Sequence, residues 1–158
     1  MRPIVAAVIV AAMFATLFST LANAQDTPKA AGQTAAPEPD QPGLGEIMAL
    51  QQMRHIKLWF AGSAGNWPLA DYEIGELNEG FDDVTKLLGG NLVAQHVGAP
   101  IAALERAIDA KDRAAFIAAF DKLSTGCNAC HHTLDHGFIV IQRPALLPYS
   151  NQSFAPQK

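Results

Sequence analysis

The chain has 158 residues, 49% of them hydrophobic and 16% charged, with a formal charge of −4 at pH 7. That length suits one domain with a modest core. The acidic balance argues against nucleic acid and anionic membrane as partners.

Arg2 is the lone cation ahead of an apolar run from Ile4 to Leu21, and Ala22-Asn23-Ala24 has the small-x-small form of a signal-peptidase site. A signal peptide over 1–24, cleaved after Ala24, is expected; the mature chain is then one charge more negative and its folded part is periplasmic. Because the run is nearly long enough to span a bilayer, an uncleaved amino-terminal anchor is the alternative. Gln25 to Gly43 is rich in Ala, Pro and Gln with no apolar period, which reads as a flexible leader.

Leu44 to Ala61 has the 3.6-residue period of a first helix. Leu44, Ile47, Met48, Leu58 and Trp59 share one side, with Gln51 and His55 inside that stripe, whereas Met53 points nearly the opposite way. An imidazole in an apolar stripe needs a partner. Gly62 to Gly65 breaks the helix, and Asn66-Trp67-Pro68 reads as a cap with an early-turn proline opening a second one. Ala70, Ile74, Leu77, Phe81, Val84 and Leu88 form its core stripe. Asp71, Glu73, Glu76, Glu79, Asp82 and Asp83 occupy its other faces, read as a solvated surface or as a patch that steers a basic partner.

Gly89 to Gly98 reads as a loop carrying an exposed His96. Pro100 starts a short third helix with Ile101, Leu104 and Ile108 on its buried side, and Asp112 is the expected cap of the fourth. The fourth helix places Phe116, Phe120, Leu123, Cys127 and His131 on one face at steps of four, three, four and four.

Cys127-Asn128-Ala129-Cys130-His131 has the spacing that attaches a c-type haem. Two thiols three positions apart on a helix reach one porphyrin edge as thioethers, and His131 supplies the proximal iron ligand. Since these residues continue the aromatic stripe, the haem enters the bundle interior. Three rivals use the same residues. A thioredoxin-like dithiol belongs at a strand-to-helix turn, and no strand is expected before Cys127. Structural zinc would draw on Cys127, Cys130, His132 and His136. An ordinary disulfide suits an exported protein, yet so short a loop removes little unfolded-state entropy. On the iron's far side the contenders are His55, whose neutral imidazole is a good ligand, and Met48, two turns earlier on the same face. The plainer readings are a core histidine bonded to a carbonyl or propionate, and a packing methionine.

Four amphipathic helices in an antiparallel bundle, with Cys127-x-x-Cys130-His131 on the last, resemble the class II c-type cytochromes, the cytochrome c-prime group. The resemblance covers Leu44 to about Asp135. It implies one covalent haem, a distal side facing the first helix, and homodimerisation through the first two helices. A distal Met there makes a low-spin electron carrier, and a non-ligating residue leaves a five-coordinate iron that binds nitric oxide or carbon monoxide. Arg54 is the residue carried over as a propionate contact.

The group's chains usually stop soon after the haem histidine, whereas here the chain continues through Phe138-Ile139-Val140-Ile141 and Pro144 to Lys158. The β-branched run suits an extended tail along the bundle. It is expected to cover a haem edge, with Tyr149 or Phe154 as lid. His132 and His136 are expected on the surface. Electron transfer through a six-coordinate haem to a redox partner protein is the preferred reading, gas binding the alternative, and a haem peroxidase a distant third.

Overall fold

The computed structural model describes residues 41–157; the expected signal peptide and all of the leader but its last three residues lie outside them. Four α-helices follow in order, α1 (Leu44–Ser63), α2 (Trp67–Leu88), α3 (Ala99–Asp109) and α4 (Arg113–Thr133). They form an antiparallel four-helix bundle from two tight hairpins, α1 with α2 and α3 with α4. The expected starts are where the chemistry puts them. Asn66 Oδ1 accepts from the Leu69 amide at 3.4 Å, with Pro68 in the first turn. Asp112 Oδ1 accepts from the Ala114 and Ala115 amides at 2.9 and 3.0 Å. The first helix runs slightly past its expected end, to Ser63, because Gly62 is buried inside it.

Between α2 and α3 the expected loop is shorter than its sequence suggested. Ala94–Gly98 is already helical, in the wider π geometry, and leads directly into α3. Pro100 has no N–H to return to the His96 carbonyl four residues back, and the ladder absorbs that missing bond in the turn ahead of it. Val93 and Val97 are buried by this turn, which periodicity alone did not show.

The core is centred on α4. Phe116 and Phe120 are fully buried together with Leu58, Leu77, Leu104 and Leu123. Trp59 lies 5.0 Å from Phe120 and 6.5 Å from Phe116 between ring centroids, and Trp67 meets Phe116 edge-on at 6.1 Å. On α2, Ala70, Ile74, Leu77 and Val84 are buried as their period requires, while Phe81 and Leu88 are half-buried. Glu73 departs from the expected solvated face. It is 2% exposed, with Lys57 Nζ at 3.9 Å, and burial raises its carboxyl pKa against the opposing pull of Lys57.

After Leu134 the chain has no helix or strand among the described residues, and it runs back along the bundle. The Arg143 guanidinium pairs with Asp121 and lies 4.7 Å from the Trp59 ring centre. Lys57 Nζ is 5.6 Å from the Tyr149 ring centre, Phe154 packs on Phe60 at 6.1 Å, and Asn66 Nδ2 donates to the Ala155 carbonyl at 3.1 Å. Tyr149 and Phe154 therefore sit by the C-terminal part of α1 and its turn into α2, and neither lines the cavity beside Cys127. The tail is long enough to carry them the length of the bundle, which corrects the expectation that either is a lid.

Close helix approach depends on Gly62. A Cβ there would lie 2.2 Å from Phe116 Cζ and 2.4 Å from both Cε atoms. Gly62→Ala gains about 1 kcal/mol of helix propensity, but the Phe116 ring has no room to move. The expected net effect is a loss of about 1–3 kcal/mol, read as a lower denaturant midpoint; an unchanged or raised midpoint would show that the ring relocates freely.

Candidate functional site

The α4 period decides where the chemistry-bearing residues go. Its first half turns Phe116, Phe120 and Leu123 into the core, and the same face then presents Cys127 and His131. There they meet a cavity of about 500 Å³, in the range typical of small-molecule and cofactor sites. Cys127, Cys130 and His131 line one side of it; Met48 and His55 contribute from α1, Leu77, Phe81 and Val84 from α2, Val93 and Val97 from the π turn, and Ile139 and Ile141 from the tail. The walls are mostly apolar, with the two thiols, the imidazoles and the carboxamides of Gln51 and Gln52 as the polar groups.

Gly126 lets the π turn approach that wall. A Cβ at this position would be 2.4 Å from the His96 carbonyl oxygen, so only glycine permits the contact one residue ahead of Cys127. His96 itself is half-buried, with Nε2 3.2 Å from Thr133 Oγ1. It is thus part of the packing against α4 and not a free loop residue.

Both cysteines are free, half-buried thiols. Burial, with the neighbouring Cys130 adding to it, pushes the Cys127 thiol up to about 12; burial also raises Cys130. A redox dithiol needs the opposite, a thiol pKa lowered toward neutrality at a strand-to-helix turn, and here the pair lies inside a helix. The zinc alternative fails on geometry. His132 and His136 are both exposed, with the His132 ring packed over Gly137. Among the described residues no group of three or more His, Cys, Asp or Glu is placed to hold an ion.

His131 is oriented by its own helix end. α4 terminates in a Schellman turn: the His136 amide donates to the His131 carbonyl at 2.7 Å, the Asp135 amide donates to His132 at 3.3 Å, and Asp135 takes the left-handed conformation at φ 60°. The chain that leaves this turn brings the Ile139 carbonyl to 2.8 Å from His131 Nδ1. With Nδ1 as donor, Nε2 keeps its lone pair.

The distal contenders are separated by the antiparallel register of α1 and α4. Gly62 faces Phe116, Trp59 lies against Phe116 and Phe120, and His55 meets Phe120 at 4.3 Å and Ser124. Seven residues back from His55 is Met48, and seven on from Ser124 is His131. Both helices rise equally per residue, so Met48 is level with His131, whereas His55 lies about 10 Å further along the bundle axis. His55 Nε2 is 2.9 Å from Ser124 Oγ, which itself donates to the Phe120 carbonyl at 3.2 Å. The imidazole in the apolar stripe thus has its partner, a serine that the sequence reading did not single out although it sits on the core side of α4.

Arg54 has partners elsewhere. Its Nη2 donates to Glu76 Oε2 at 2.8 Å and its Nη1 to Gln51 Oε1 at 3.1 Å, and it does not line the cavity. One position before His55, it faces the carboxylates of α2. Asp71, Glu79, Asp82 and Asp83 are the exposed acids of α2. Family models, curated proteins and solved structures give no match to this chain, so the residues carry the functional reading by themselves.

Burial pushes His55 down to about 4, from an ordinary 6.5. The folded protein therefore binds this proton less readily than the unfolded chain, so stability is complete above about pH 6.5 and falls as the pH drops toward 4. Relative to His55→Gln, the wild type should lose roughly 2–3 kcal/mol of unfolding free energy between pH 7 and pH 4. Parallel pH profiles for the two proteins would show that His55 is not buried neutral.

Proposed function

We propose that the protein is an exported monohaem c-type cytochrome of the class II kind, working in electron transfer. The observation that carries this is the convergence of Cys127, Cys130 and His131 on one apolar cavity of cofactor size. The residues suit the group: two neutral thiols on one helix face for thioether attachment, an imidazole whose Nδ1 is occupied so that Nε2 can ligate, and aliphatic walls for a flat hydrophobic ring. When bound, a haem supplies one-electron chemistry at its iron. The chain's own part is to attach it at Cys127 and Cys130, to ligate with His131, and to keep water out with Phe81, Val93, Val97 and Ile139.

On the distal side the register favours Met48 over His55. Met48 lines the cavity at the height of His131, and its thioether is a soft donor suited to iron in electron carriers. His55 is engaged by Ser124 about two turns away. Met48 and His131 would then both hold the iron, and a centre so held would be closed to added ligands. A basic redox protein is the partner that the exposed carboxylates of α2 suit.

The test is the visible spectrum of the haem-loaded protein expressed in the periplasm, ferric and reduced, with and without carbon monoxide. Low-spin bands indifferent to carbon monoxide are expected. Met48→Ala should turn them high-spin and responsive to the gas, and His55→Ala should leave them low-spin. High-spin, gas-binding wild type would replace electron transfer by the five-coordinate alternative, and a His55→Ala change to high-spin would make His55 the ligand.

A further inference from the structure

The C-terminal segment after α4 makes specific side-chain contacts back to that helix. Asn128, between the two cysteines, gives both halves of its side-chain amide to one residue thirteen positions on: Nδ2 donates to the Ile141 carbonyl at 2.8 Å, and Oδ1 accepts from the Ile141 amide at 2.7 Å. The pair imitates one rung of a strand ladder. Among the common side chains, only a carboxamide can donate and accept in this way without a change of charge. Two residues further on, Arg143 makes a two-point contact with Asp121 of α4, Nε to Oδ1 at 3.1 Å and Nη2 to Oδ2, under cover of Trp59. At the other end the segment is tied to α4 by the Schellman turn, and the Ile139 amide donates back to the His136 carbonyl at 2.9 Å.

We infer that Asn128 is a positioning residue for the proximal ligand: by clamping Ile141 it holds the Ile139 carbonyl as the acceptor of the His131 Nδ1 proton. This rests on the haem reading of the site. The segment between two fixed points has few ways to move, and the carbonyl it carries stands 2.8 Å from Nδ1. A carbonyl acceptor at Nδ1 fixes the tautomer and ring orientation and raises the basicity of Nε2 as a ligand, and such outer partners affect a metal centre nearly as much as its ligands. With a haem bound, a stronger proximal donor would favour the ferric state, so the contact would lower the reduction potential. Asn128 thus links the covalent attachment motif to the electronic character of the iron through the tail backbone.

The experiment uses the full chain. In Asn128→Ala both clamp bonds are lost; Asn128→Gln keeps donor and acceptor on a longer arm; Ile141→Pro deletes one clamp donor without touching α4. Three readouts are taken: nitrogen NMR of the His131 ring in chain prepared without haem, amide exchange at Ile141, and the reduction potential of the haem-loaded protein. The expected result is an Nδ1–H tautomer for His131 in the wild type, and faster Ile141 exchange in Asn128→Ala. The potential is expected to be more positive in Asn128→Ala and Ile141→Pro and to move back toward wild type in Asn128→Gln. Folded Asn128→Ala and Ile141→Pro proteins with unchanged tautomer and potential would overturn the inference, as would a wild-type His131 without the Nδ1 proton. If the wild type takes up no haem, the haem reading falls, and the tautomer and exchange data on the haem-free chain still decide whether Asn128 holds the carbonyl on His131.

Discussion

The 3.6-residue period of α4 ties packing and chemistry together. Phe116, Phe120 and Leu123 must face the bundle interior, because fully burying side chains of this size is worth about 1.5–3 kcal/mol each. No break interrupts the helix between Leu123 and His131, so the same face carries Cys127 and His131 inward. Core formation thereby orients the Cys127 thiol and the His131 imidazole. The surrounding elements then shape what is left: Gly62 brings α1 against Phe116, and Gly126 brings the π turn against α4 beside the cavity.

Much of this was legible in the sequence, and the division follows physical range. Stripes and caps are local. The alternation of Ala70, Ile74, Leu77 and Val84, the Asn66 and Asp112 caps and the α4 stripe are dictated by neighbours within two turns, and the structure has them where the pattern puts them. What the sequence hid depends on partners far along the chain. Glu73 is buried because Lys57 of α1 reaches it, Arg54 is drawn to Glu76, and His55 finds Ser124. The π turn was hidden for a different reason: a loop and a distorted helix ahead of Pro100 have similar compositions, and only the burial of Val93 and Val97 tells them apart. The tail is the extreme case, since Asn128 carries no mark that it pairs with Ile141.

These long-range contacts change the functional picture in one direction. The sequence put His55 first on the apolar stripe of α1, with Met48 as the alternative. Antiparallel register sets Met48, two turns earlier on α1, level with His131, and Ser124 gives His55 a role in holding α1 to α4. The tail, which composition presented as a cover, reaches the site through Ile139 and Ile141 and places Tyr149 and Phe154 by the far end of α1. The proposed centre is therefore enclosed by α1, α2, α4 and the π turn, and by the chain that follows them.

The most direct measurement is the intact mass, under denaturing conditions, of the full-length protein exported in a host that attaches c-type haem. The account predicts a chain beginning after Ala24 and heavier by one haem, with the addition lost when Cys127 and Cys130 are both replaced by serine. A wild-type mass equal to the bare polypeptide, or lighter by two hydrogens for a Cys127–Cys130 disulfide, would contradict it.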